Sequence, residues 1–223
     1  MRGKRYKEAK EKLEAKVYPV EDAIEKLKET ATANFEETVE IAVNLGVDPR
    51  KSDQMVRGSV VLPHGTGRDI KVAAAVDNKL AESARKAGAD VAGVEKIAQM
   101  TEKGNIDFDI LLATPGCMRE LGKLGRILGP KGLMPSPKAG TVVDDIEEAI
   151  EKVKKGQVEF KIGRSAVLHG ILGKISFPKS DLIDNYNAYM QAVKVSRPDS
   201  AKGKFIEKVF LSTTMAPSLR LDI

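Results

Sequence analysis

The sequence has a single cysteine, Cys117, no tryptophan, and histidine only at His64 and His169. One thiol excludes an intrachain disulfide framework and a cysteine-based zinc site, and it suits a reducing compartment. The two histidines belong to no HExxH pair and no recognisable ligand spacing, so no metal site is expected and a structural role is the ordinary reading of each. No apolar run reaches 18 residues, and the opening stretch MRGKRYKEAKEKLEAKV lacks the apolar core of a signal peptide. A soluble cytoplasmic protein without a membrane partner is predicted. Phosphate-cradling fingerprints are missing as well. Neither Gly125-Arg126-Ile127-Leu128-Gly129 nor Gly170-Ile171-Leu172-Gly173-Lys174 fits GxGxxG or GxxxxGKS/T, and no cofactor is expected. The acids Asp144-Asp145 and Glu147-Glu148 open a helical pattern, where they complement the helix dipole, and acid–base catalysis has no better candidate.

What is present is a globular composition. Of 223 residues, 42% are hydrophobic and 31% charged, enough for one large domain or two modest ones at roughly 100–200 residues each. The run from Thr38 to Val47 alternates so that every odd residue falls on one face, the pattern of a strand buried on one side. Before it, Pro19 with Val20, Ala23, Ile24 and Leu27 predicts a helix start and an apolar stripe. Val60-Val61-Leu62 predicts a second strand. From Ile70 the texture changes to short continuous apolar runs, IKVAAAV at 70–76 and DILLA at 109–113, which alternate with helical patterns at 78–87, 94–103 and 144–155. That is the grammar of βαβ units. After Gly156 the alternating style returns in VEFKIG, followed by a helix around 180–195 and a two-faced strand at 205–215.

This order predicts a discontinuous domain of residues 1–67 and 159–223, interrupted by an inserted domain of residues 68–158, with two chain crossings forming a hinge. Residues 68–158 hold 15 basic and 14 acidic side chains, 1–67 hold 12 of each, and 159–223 hold 10 and 6. The outer domain therefore carries +4 of the net +5, which favours a polyanionic partner there. The first 20 residues carry seven basic and three acidic side chains. Two readings are open for them, an arm that touches a phosphate backbone and a merely solvated helix.

Two segments stand out chemically. GKLGRILGPKGLMPSPKAGT at 122–141 holds five glycines, three prolines and four basic residues without an acid. It reads as a shaped loop that displays Lys123, Arg126, Lys131 and Lys138 to an anion, pinned to a core by Leu124, Ile127, Leu128, Leu133 and Met134. A solvated connection between helices is the other reading. At the end of the last strand, Ser212-Thr213-Thr214-Met215-Ala216-Pro217-Ser218-Leu219-Arg220 crowds hydroxyls, a thioether and a guanidinium. Such a strand end can meet ribose hydroxyls and bases, or it is an ordinary edge strand.

Three segments carry a resemblance: ANFEETVEIAVNLGVDPRKSDQMVRGSVVLPHGTGR at 33–68, KLGRILGPKGLMPSPKAGTV at 123–142 and STTMAPSLR at 212–220. Together they resemble the L-one family of bacterial large-subunit ribosomal proteins, and the likeness runs over essentially the whole chain. The resemblance implies an α/β protein of two domains: an α+β RNA-binding domain with a split βαβ-type sheet made from both termini, and an inserted Rossmann-like three-layer domain that binds no nucleotide. It implies no enzymatic activity, and a chain that is monomeric when free. The implied partners are the large-subunit ribosomal RNA at a mobile stalk, the exit-site tRNA whose release it assists, and the mRNA of its own operon, which it represses. Phe35 and Thr38, with Thr213, Thr214 and Met215, match the family's main RNA contacts. Arg50, Lys51, Arg57, Arg164, Ser165, His169 and Lys174 sit where the family approaches RNA, and Lys123, Arg126, Lys131 and Lys138 would make a second RNA or tRNA contact.

Three departures from the family pattern bear on these contacts. Asn34 stands where Lys is common, Arg164-Ser165-Ala166 where Lys-Thr-Gly is usual, and Ala216 where Gly is usual. If residue 216 sits at positive φ or tight against RNA, its methyl group costs affinity, and Ala216→Gly leaves binding unchanged or tightens it. Two competing functions remain at the level of sequence. One is a small α/β enzyme that holds a phosphorylated substrate on the Gly-rich segment, and the other is an RNA-binding regulator that never enters ribosomes.

Overall fold

The computed structural model describes residues 3–14, 16–77 and 79–222, without the side chain of Lys138. Its contacts divide the chain into two compact units, Met1–Arg68 with Val158–Ile223, and Asp69–Gln157.

In the discontinuous unit, α1 (Lys4–Glu11), β1 (Val17–Tyr18) and α2 (Val20–Thr30) precede the long strand β2 (Thr38–Leu45) and the short β3 (Arg57–Val61). Alternation in β2 sorts as expected, with Val39, Ile41, Val43 and Leu45 buried and the residues between them facing out. The returning chain supplies β7 (Gln157–Lys161), β8 (Val167–Lys174), α8 (Lys179–Val195), β9 (Ile206–Thr213) and β10 (Leu219–Leu221). Five strands order as β1-β10-β9-β2-β8, and β3 pairs with β7 in a ribbon of its own. Both β8 and β9 run antiparallel to β2, which lies between them, so β8-α8-β9 is a split βαβ unit. Helices α2 and α8 cover one face of the five-stranded sheet, and Ile24, Leu27, Tyr186, Tyr189 and Val193 fill the core against it. Near its far end β9 departs from strict alternation. The register with β2 shifts between Asn44 and Leu45, which turns both Glu207 and Lys208 outward before Val209 faces in again.

The inserted unit is a parallel sheet in the order β5-β4-β6, built from β4 (Val72–Ala75), β5 (Val91–Ala92) and β6 (Ile110–Ala113). Every residue of β4 is buried because helices lie on both faces. Val72 and Ala74 pack toward α3 (Ala81–Lys86) and α7 (Ile146–Lys154), while Ala73 and Ala75 pack toward α4 (Val94–Glu102) and α5 (Met118–Lys123). Asp145 caps α7, its carboxylate accepting from the amides of Glu147 and Glu148 at 3.1 and 3.2 Å, so the acid cluster there serves the helix. The chain from 122 is not the continuous loop read from its glycines and prolines. It finishes α5, forms α6 (Gly125–Leu128), and only then becomes irregular. Leu124 and Leu128 are buried, and Leu133 and Met134 pack against the same cluster, whereas Ile127 is exposed. Glycine's lower helix propensity is overridden there by the burial of two leucines one turn apart.

Among the described residues no helix is long and apolar enough to cross a membrane, and no group of His, Cys, Asp and Glu could hold a metal ion.

Candidate nucleic-acid interface

Antiparallel pairing carries the first residue of β2 to the last residues of β8 and β9. Thr38 is registered with Lys174, and Val39 with both Gly173 and Thr213. The segments 35–38 and 213–216, far apart in sequence, are thereby adjacent at one end of the sheet.

A carboxylate holds them together. Glu37 is buried, at 1% exposure, where the alternation of β2 extended backward would place it on the covered face. One of its oxygens accepts from the amide of Ala33 at 3.1 Å; the other accepts from the Thr213 hydroxyl at 2.6 Å and the Met215 amide at 3.0 Å. Burial by itself pushes this carboxyl up, but hydrogen bonds from Thr213, Met215, Ala33 and Thr32 outweigh it and hold the group below its ordinary value. Glu37 was not singled out by its sequence context. The signal that marks it is an acid one strand period before the buried face begins.

Around this clamp, Thr214 ties the strands a second time. Its hydroxyl oxygen accepts from the Thr38 amide at 3.0 Å. Lys174 donates to the Thr38 hydroxyl at 3.2 Å. Phe35 and Met215 are left 54% and 61% exposed, large apolar groups held in water on an ordered frame. Thr213 differs from the other members of its triplet. It is buried and its hydroxyl is spent on Glu37, so it positions Met215 rather than facing outward. Ala216 is half-buried, and Ala166 is the sole non-glycine residue at positive φ among those described. The strain argument therefore does not apply at Ala216. It applies at Ala166, which adopts φ 56° at the position where the resemblance expects glycine.

The remaining cations are not gathered at this end. Arg50 and Lys51 follow the far end of β2, and Arg164 and Ser165 precede the facing end of β8; all four are exposed, and Arg50, Arg164, Ser165 and Ala166 line one shallow groove. The Leu45 amide donates to the Ala166 carbonyl at 2.9 Å and closes that end. Eight residues of β2 separate the two groups, roughly 24 Å of strand. His169 lies between them on the edge strand β8, exposed and registered with Ala42 on the open face. Arg57 is the exception among the cations, since its guanidinium is paired with Glu159 at 2.6 and 2.8 Å. His64 sits against Asp184 at 3.2 Å and Asp181 at 3.7 Å, with its amide donating to buried Asn185, in keeping with a structural histidine.

In the inserted unit, Lys123, Arg126 and Lys131 are exposed, and the side chain of Lys138 lies outside the described part. The discontinuous unit by itself offers exposed apolar groups, hydroxyls and, among the described residues, cations without an acidic partner at its strand ends. Exposed apolar groups, hydroxyls and cations are the groups that can meet bases, ribose and phosphates.

The family model for the Ribosomal protein L1p/L10e family matches residues 27–217. Among curated proteins, the chain is similar to the "Large ribosomal subunit protein uL1" of Aliivibrio fischeri, 48% identical over 220 residues that cover 98% of this chain and 94% of that one. The protein of the same description from Dichelobacter nodosus is 48% identical over 215 residues, covering 96% and 93%. That from Lactobacillus delbrueckii subsp. bulgaricus is 46% identical over 221 residues, covering 99% and 96%.

Proposed function

The chain belongs to the ribosomal protein L1p/L10e family, and from that membership we propose that it is a structural constituent of the large ribosomal subunit which binds the large-subunit ribosomal RNA at the mobile stalk. The family is one of ribosomal proteins and not of enzymes. The observation that carries the RNA-binding reading is the clamp of Glu37 on Thr213 and Met215, which holds Phe35, Thr38, Thr214 and Met215 as one preformed surface.

In this account the discontinuous unit is the RNA-binding domain. Met215 and Phe35 lie against bases or sugars, the Thr214 and Thr38 hydroxyls meet 2′-hydroxyls or phosphates, and Lys174 supplies charge beside them. Arg50, Lys51, Arg164, Ser165 and His169 engage the RNA further along the sheet edge, a second contact about one strand length away. Arg57 joins them only if RNA competes with Glu159 for its guanidinium. Ala216 shapes the turn that presents Met215. Lys123, Arg126, Lys131 and Lys138 of the inserted unit make a secondary contact to RNA or to exit-site tRNA, through which the protein assists release of deacylated tRNA. The same principal surface binds the mRNA of the protein's own operon and represses its translation. The protein acts in the cytoplasm, is monomeric when free, and needs no cofactor.

Cosedimentation tests the ribosomal part of this reading. Tagged protein should travel with the large subunit and not with the small one through a sucrose gradient at moderate salt, and Met215→Ala with Thr214→Val should release it. A protein found only in the free fraction, yet still bound to its own mRNA, would establish a regulator that stays outside the ribosome.

A further inference from the structure

The open face of the five-stranded sheet bears a groove of about 450 Å³ between α1 and the strands β9 and β10, lined by Tyr6, Lys10, Lys16, Phe210, Ser218 and Arg220 among others. Phe210 alternates with buried Val209 and Leu211, so its ring stands on the face away from the core. Register places Arg220 directly beside it. Lys16 is tied to Glu14 at 2.7 Å, whereas Lys10 and Arg220 are exposed and pair with no acid among the described residues. Pro217 and Ser218 of its lining follow Met215 and Ala216 in sequence, so the groove adjoins the segment that carries Met215.

The chemistry of that lining is selective. Two unpaired cations attract any polyanion, but an aromatic face beside a guanidinium is put to use only by a ligand that stacks. The volume lies in the range that holds one nucleotide. An acidic peptide would engage Lys10 and Arg220 and leave the Phe210 ring idle. We infer that this groove takes a nucleotide of single-stranded RNA, its base over Phe210 and its phosphate between Lys10 and Arg220, next to the Phe35 and Met215 contact. The site rests on the reading of the chain as an RNA-binding protein and extends it to an unpaired strand.

The test uses the full chain and two probes followed by fluorescence anisotropy, a blunt stalk ribosomal RNA fragment and a labelled hexauridylate. Phe210→Leu keeps most of the bulk and Arg220→Gln alters an exposed side chain, and thermal melts followed by circular dichroism verify that both fold. Each should weaken hexauridylate binding about tenfold and leave the stalk fragment within about threefold, because stacking on an aromatic ring is worth one to two decades of affinity. Thr214→Val should do the reverse. Hexauridylate binding that ignores Phe210→Leu, or that polyglutamate displaces as readily as unlabelled hexauridylate does, overturns the nucleotide site in favour of a polyanion groove. Absence of hexauridylate binding, with the stalk fragment still bound, overturns it alone. Loss of binding to both probes in the unmodified protein overturns the RNA-binding reading itself.

Discussion

At the scale of single residues, Glu37 joins the chain at Ala33 to Thr213 and Met215 at one end of the sheet. The group is held below its ordinary value in the folded protein, so its contribution to stability is fully present above the unfolded carboxylate value of about 4.3 and is lost as pH falls through the depressed folded value. Glu37→Gln keeps one acceptor oxygen but removes the charge. It should destabilise the protein by on the order of 2 kcal/mol at neutral pH, weaken stalk RNA binding, and flatten the acid limb of a Tm against pH curve. An unchanged acid limb would show that Glu37 is not the group that titrates. Ala166 gives a second test. Relief of its left-handed backbone outweighs the added freedom of glycine in the unfolded chain, so Ala166→Gly should gain about 0.5–1 kcal/mol, a rise of roughly 1–4 °C in Tm. A fall in Tm would contradict this. Phe35, Thr214 and Met215 were named through the resemblance of the segments that carry them, and the structure leaves all three exposed. The inward turn of Thr213 was not, since a triplet at a strand end does not declare which hydroxyl faces the core.

At the scale of elements, alternation and continuous apolar runs made β2, β4, β6 and α7 readable, because burial on one face or on both leaves a period in the sequence. The strand β8 hid behind its glycines. Gly170 is required there because a Cβ would strike the ring of Tyr189, and Gly173 adopts φ 149° at the register shift opposite Val39 and Glu40. Equally hidden was the distance between the cationic group at Arg50 and Arg164 and the clamp at Glu37, which only strand register reveals. Two measurable consequences follow from that spacing and from the different chemistry of the two ends. Losses of RNA affinity in Thr214→Val and Arg164→Ala should add within about 0.5 kcal/mol in the double variant, as for sites that share no partner. In addition, Lys174→Ala should flatten the log–log salt dependence of binding by about 0.7–0.9, while Thr214→Val lowers affinity at nearly constant slope. Equal changes in slope would mean that Thr214 acts through charge rather than shape.

At the scale of the whole molecule, charge and chemistry coincide. The discontinuous unit holds 23 basic and 18 acidic side chains and the inserted unit 14 of each, so the whole net charge of +5 resides in the unit that carries the Glu37 clamp. So small an excess steers an RNA without choosing among RNAs. In the proposed function, selection falls to the surface of Phe35, Thr38, Thr214 and Met215. The most direct measurement is a salt-dependent titration of the purified protein with the ribosomal stalk RNA and with an unrelated hairpin of equal length. Binding to the stalk RNA should be nanomolar and survive moderate salt, with the hairpin bound weakly and released as salt rises. Equal, salt-labile binding to both would reduce the protein to a general polyanion binder and contradict the claim that shape selects its RNA.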